Sequence, residues 1–163
     1  MGKRMGVQRA EMLIEAMGAP DLDFKGTTVL TGYRMNFQKV TGNIALSAAD
    51  TGKVFLCGSA TSACTLPTVA DAGSGWFVEM WVHNETAAVT ITAPGTDLIL
   101  GHVVTGEDNA NRQLNPATSI GTETVVLTTS AVKGDYVSIY CDGTNFFIRG
   151  SSRVTDAITC AAE

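Results

Sequence analysis

Chemistry needs side chains of suitable pKa brought to one place, and this chain supplies few of them. His83 and His102 each sit at the end or start of an alternating apolar stretch, with no second ligand at metal-binding spacing. Zinc-protease HExxH, nucleophile-elbow GxSxG, phosphate-cradling GxxxxGK and EF-hand patterns are all missing. Gly73-Ser74-Gly75 precedes a strand pattern, whereas phosphate loops precede helices, so it reads as a turn. Glu107, Asp108 and Asn109 offer oxygens of a kind calcium accepts, but too few partners accompany them, and a solvated loop is the expectation. Asn84-Glu85-Thr86 fits a glycosylation sequon, a three-residue match that no secretory leader supports. No catalytic residue, metal site or cofactor is expected, and the protein is not expected to be an enzyme.

Cys57, Cys64, Cys141 and Cys160 lack the CxxC spacing of redox or metal sites and are few for a disulfide scaffold. Cys57 and Cys64 could face each other across a hairpin; buried free thiols are the favoured state for a protein made in a reducing cytosol.

The totals narrow the partners. With 163 residues there is room for one ordinary domain. Eleven Lys plus Arg against sixteen Asp plus Glu give a net charge of -5, and no basic cluster could track a phosphate backbone, so nucleic acid is not expected. Only 17% of residues are charged while 45% are hydrophobic. Such a chain has few charges with which to cover its surface, which points toward oligomerisation or docking on a larger assembly. Exposed aromatics such as Trp81 or Tyr140 could form a sugar-stacking platform, although core and subunit-interface roles are the commoner fates of Trp and Tyr on strands. No run approaches the ~18 apolar residues of a membrane span. Arg9, Glu11 and Glu15 interrupt what would be the apolar region of a signal peptide, so neither a membrane nor a secretory route is expected.

The elements that must position these residues follow from periodicity. In residues 3–17, Val7, Ala10, Leu13, Ile14 and Met17 recur at three- and four-residue intervals, and Gly18 with Pro20 supplies a stop: a short amphipathic helix. From Thr27 the period changes to two. TTVLTGY, NIALSA, KVFLC, ACTL, WFVEMWV, AVTITA, DLILGHVV, ETVVLTT, YVSIYC and NFFIR read as strands separated by turn signals. Pro67 ends one of them, and Ala70 to Gly75 reads as a loose turn leading into WFVEMWV. There Trp76, Val78, Met80 and Val82 share one face, with Phe77, Glu79, Trp81 and His83 on the other. Asp142-Gly143 closes a hairpin between YVSIYC and NFFIR, with Val137, Ile139 and Cys141 turned to the core. GEDNANRQLNP, residues 106–116, reads as an exposed loop, and the tail after Gly150 as one more strand or an arm. The expected fold is mainly β, an antiparallel β-sandwich or small jelly-roll-like barrel with a short N-terminal amphipathic helix; residues 1–25 form a helix or arm and 26–163 a single β domain.

Two stretches carry a family resemblance: LSAADTGKVFLCGSATSACTLPTVADAGSGWFVEMWVHN, Leu46 to Asn84, and SAVKGDYVSIYCDGTNFFIRGSS, Ser130 to Ser152. The order Asp-x-Gly, strand, Thr-Leu-Pro, Ala/Gly-rich link, aromatic strand, then Lys-Gly-Asp, strand, Asp-Gly-Thr-Asn, aromatic strand resembles tailed-bacteriophage virion proteins, both head-decoration (cement) proteins and fibre β modules. The short chain and its opening GKRMGVQRAEMLIEAM resemble the head-decoration group. That resemblance implies a homotrimer, made in the host cytoplasm, that sits on the outer capsid surface of the virion and bridges major capsid protein subunits. The contact residues it suggests, chosen on charge and exposure, are Lys3, Arg4, Arg9, Asn109, Asn111 and Arg112. The alternatives are a fibre or receptor-binding module for a host surface glycan, and a carbohydrate-binding module outside any virion.

Overall fold

A computed structural model describes residues 35–84, 87–105, 122–154 and 156–161. The amphipathic stretch at 3–17, the 106–116 loop, and with them Lys3, Arg4, Arg9, Asn109, Asn111 and Arg112, lie outside the described residues. The chain divides into two units between residues 34 and 35, and the described strands all belong to the second.

Among the described residues eleven strands run in chain order as β1 (Asn36–Lys39), β2 (Ile44–Ala45), β3 (Lys53–Cys57), β4 (Ser62–Thr65), β5 (Ser74–Val82), β6 (Val89–Thr92), β7 (Ile99–Thr105), β8 (Thr124–Leu127), β9 (Tyr136–Asp142), β10 (Phe146–Ser152) and β11 (Ile158–Ala161). They form a six-stranded sheet in the order β1-β3-β5-β9-β10-β7 and a five-stranded sheet in the order β11-β8-β6-β4-β2. The inward-facing residues of both sheets contribute to one hydrophobic core, as a mainly β sandwich requires.

Strand direction follows from how the chain winds. Through β1 to β6 successive strands fall in alternate sheets. Sheet neighbours are therefore two strands apart in sequence and run the same way: β1 with β3, β3 with β5, β2 with β4 and β4 with β6 are all parallel. Antiparallel pairing, expected throughout, holds for β5 with β9, β9 with β10, β6 with β8 and β8 with β11. β7 returns to parallel pairing with β10. Both sheets are mixed, because a two-residue period fixes which side chains face inward but not which strand lies alongside.

The same winding places Cys57 on β3 and Cys64 on β4 on opposite sheets of the shared core. The two strands lie in different sheets, so these cysteines do not face each other across a hairpin. All four cysteines are free thiols, three of them buried.

Trp76, Val78, Met80 and Val82 on β5 meet Val137, Ile139 and Cys141 on β9 and Phe146 and Ile148 on β10, with Val89, Ile91, Val125 and Leu127 contributed by the opposite sheet. Trp76 packs edge-to-face on Phe146, ring centroids 5.9 Å apart at 71°, and its Nε1 donates to the Ser47 carbonyl at 3.0 Å. That bond supplies the polar partner a buried indole needs. Gly101 in β7 lies where a Cβ would meet the Ile148 carbonyl oxygen at 2.0 Å, and its φ is +135°, so β7 approaches β10 as closely as it does only with glycine here.

The link after Pro67 is more ordered than a loose turn. Thr68 caps a single helical turn, α1 (Val69–Ala72), its Oγ1 accepting from the Asp71 backbone N–H at 3.1 Å. Asp97 Oδ2 accepts from the Val69 N–H at 2.9 Å, holding the first turn from outside. The reversal between β9 and β10 is shifted by one residue from the sequence expectation. Cys141 pairs with Phe146, so Gly143 and Thr144 form the centre. Gly143 has φ +91°, at the position that two-residue II′ loops reserve for glycine. Asp142 stands just before it, and its Oδ1 accepts from the Thr144 and Asn145 N–H groups, each at 2.7 Å. Those two bonds hold the Asp142 carboxyl below its ordinary pKa.

Asp135 ties the ends of three segments together. It is buried, with Oδ2 accepting from the Val132 N–H at 2.9 Å and Oδ1 from the Arg153 N–H at 2.9 Å, while its carbonyl takes the Val82 N–H at 2.8 Å. One carboxylate thus satisfies two backbone donors, the second of them 18 residues away.

Candidate interaction surface

The outward faces of the two sheets differ in kind. On the five-stranded sheet the register aligns Thr65, Thr92 and Thr124 in one row, beside a second of Ala63, Thr90, Val126 and Thr159. These are small, β-branched and largely polar, a surface that water wets readily.

The six-stranded sheet turns aromatic rings outward. Phe77 and Trp81 on β5 oppose Tyr140 and Tyr136 on β9, and Phe147 on β10 continues the Phe77-Tyr140 row. Phe37 on β1 and Leu100 and Val104 on β7 extend the apolar character to both edges. Of the five large hydrophobic side chains exposed among the described residues, four project from this face: Phe37 at 59%, Val104 at 48%, Phe147 at 40% and Trp81 at 37%. Val54, between Phe37 and Glu79 in register, is buried although it points outward and stands apart from the main core.

The rings are held against one another. Trp81 and Tyr136 stack with centroids 5.1 Å apart and planes at 19°, and Phe77 stacks on Tyr140 at 6.2 Å and 18°. Arg149, from the other side of β9, places its guanidinium 5.2 Å from the Tyr140 ring centroid. Trp81 Nε1 donates to Glu79 Oε2 at 2.9 Å, fixing both side chains. Tyr140 is therefore covered by Phe77 on one side and Arg149 on the other. Trp81 and Phe147 on the same face remain 37% and 40% exposed.

The charged groups on this face are of both signs. Glu79, Ser138 and Arg149 occupy one row across β5, β9 and β10, and His102 on β7 is in register with Arg149. Among the described residues, neither Glu79 nor Arg149 is in a salt bridge; the ion pair found there is Lys53 with Asp50.

A recess lies elsewhere, an open hollow of about 390 Å³ past the end of β5. Lys39, Ser59, His83, Asn84 and Lys133 line it, with no carboxylate among its described lining residues, and the buried Ser59 Oγ has no hydrogen-bond partner. His83 is thus on this hollow and His102 on the aromatic face, with β9 and β10 between β5 and β7. The structure does not bring the two histidines together. Among the described residues no three of His, Cys, Asp and Glu converge as metal ligands. The thiols are held in their neutral form: burial pushes Cys57 and Cys160 up to about 12, and Cys64 higher still.

Trp81 and Tyr140 stand out in the sequence as possible exposed aromatics, and Phe77 and Glu79 share the Trp81 face of their strand, but Phe37, Tyr136, Phe147 and Arg149 are not singled out. Their common face appears only when β9 is placed between β5 and β10. No helix among the described residues is long and apolar enough to cross a membrane. No protein-family model matches this chain, and no curated protein matches it.

Proposed function

We propose that the protein is a structural component of a tailed-phage virion: a homotrimer that binds the outside of the capsid and stabilises the shell by bridging major capsid protein subunits. No chemical step or cofactor is involved. The observation that supports this reading is the outward face of the six-stranded sheet, a broad array of pre-stacked aromatics with charges of both signs. Aromatic and Arg anchors on a rigid support are the residues protein interfaces favour. Repeated copies on a symmetric lattice gain avidity beyond one subunit's affinity.

The test is addition of purified protein to expanded, undecorated capsids, followed by sedimentation and by location on the particle. Saturable binding to the head and a raised temperature of capsid disruption support the proposal. Failure to bind such shells overturns it. Immunogold label confined to the tail would favour a fibre module for a host glycan.

A further inference from the structure

The aromatic face is self-complementary, and we propose that two copies of this chain pack face to face through their six-stranded sheets, about a twofold axis running between the sheets over β9. It concerns the same face on which the capsid-binding reading rests: where that face is closed by a second copy, contact with the shell must use another surface.

Strand register makes the face match itself. β9 has β5 on one side and β10 on the other. A half-turn about an axis lying over β9 carries the β5 side of one copy onto the β10 side of its partner. Glu79 and Arg149 share one row with Ser138 between them, so the operation sets Glu79 of each copy opposite Arg149 of the other. In the next row, Phe77 and Phe147 flank Tyr140, and the same operation sets Phe77 opposite Phe147. Within one chain Glu79 and Arg149 are two strand spacings apart, ~10 Å between backbones, and make no salt bridge. Between two sheets stacked ~10 Å apart the two long side chains reach each other. Charge meets opposite charge and ring meets ring twice in one contact, the pattern an isologous interface requires.

The size agrees. Six strands at ~4.8 Å spacing and ~20 Å average length give a face of roughly 600 Å² before side-chain relief is counted. It takes in the charged row as well as the rings, and approaches the ~800 Å² per partner of a standard stable interface. The stacked rings are already ordered in the single chain, so little side-chain freedom remains to be lost on pairing.

The experiment is the solution mass of the full chain by sedimentation, for the protein as it is and for Glu79→Lys, Arg149→Glu and the double exchange. The expected mass is an even number of 17.1 kDa chains: two, or six where a trimer formed elsewhere on the surface is also present. Each single reversal puts like charges opposite each other twice and should halve that mass, with the dissociation constant raised about 100-fold or more; the double exchange should restore it. Circular dichroism and melting temperature check that each variant is folded, and Phe147→Ser, at an exposed ring, gives a second route to the same halving. A trimer whose mass none of these changes alters would overturn the face-to-face pairing while leaving the capsid reading standing. A monomer would overturn both the pairing and the trimer. An even mass that ignores the substitutions would place the contact elsewhere and also overturn the proposal.

Discussion

Trp81 and Tyr136 lie directly opposite each other on β5 and β9, their ring planes 19° apart and their centroids 5.1 Å apart on the outside of the six-stranded sheet. A stacked pair on a wet surface contributes modestly to the fold, so its placement is informative about partners. Trp81→Ser should lower stability by about 0.5–1.5 kcal/mol, the usual worth of an aromatic pair. Its effect on self-association should be larger, because hot-spot aromatics commonly cost about 2 kcal/mol or more when truncated. Comparing urea melts with the concentration dependence of solution mass checks both; equal effects would show that the pair serves only the fold.

Asp135→Ala removes the acceptor for the Val132 and Arg153 N–H groups. Hydrogen bonds to charged groups are worth about 1.5–3 kcal/mol each, and stranded buried donors add their desolvation. A loss of about 3–5 kcal/mol in unfolding free energy is expected, measured by denaturant titration. Asp135→Asn keeps one acceptor oxygen and should recover part of it.

The thiols give a prediction about reactivity. Cys57, Cys64 and Cys160 have folded-state pKa values raised above the ordinary 9.0 by burial. At about pH 8 they should resist alkylation in the native protein, while denatured protein should take up four labels, counted by mass spectrometry. For a thiol whose folded pKa is raised, the stabilising contribution is complete below the unfolded value and is lost as pH rises past it. Stability should therefore decline above about pH 9. Fewer than four labels after denaturation without reductant would reveal a disulfide.

At the acid end the sign reverses. Burial raises the pKa of Asp50, but hydrogen bonds from Lys53 and from the Ser47 N–H and Oγ outweigh it and hold the carboxyl below the ordinary 3.8; Asp142 is held below 3.8 by its turn amides. A depressed carboxylate stabilises above its unfolded pKa, and that contribution disappears as pH falls through the folded one. Melting temperature should drop as pH falls below about 4, with a shallower drop in Asp50→Asn. An unchanged acid limb in that variant would mean that other groups govern it.

Much of the fold is legible in the sequence because period-two alternation reports burial directly. In WFVEMWV the four residues read as one face are the four that the core buries. KVFLC is β3 residue for residue, and of the two readings of the tail, strand or arm, the strand is met by β11, which begins at Ile158 and leaves Val154 outside it. What escapes is whatever depends on neighbours. β1, NFQK, is exposed on every residue and shows no alternation to find. The helical turn at Val69–Ala72 is too short for a period and rests on the Thr68 cap and on Asp97, a residue 28 positions away from Val69. The aromatic face is only partly legible, since Phe77, Tyr140 and Phe147 belong to three strands, of which only β9 and β10 adjoin in sequence.

Laying β1 to β6 alternately into two sheets has a kinetic cost. Among the described strands, β9 and β10 form the one pair that is consecutive in the chain and hydrogen-bonded side by side. Every other pairing must close a longer loop before it gains any contact, the circumstance in which chains fold slowly. The early strands cannot complete their sheets during synthesis, because β5 awaits β9 and β6 awaits β8. Folding should thus be a late event, nucleated by the hairpin at Tyr136–Ser152, with the exposed rings of β5 most vulnerable to aggregation while the ribosome is still adding the last strands.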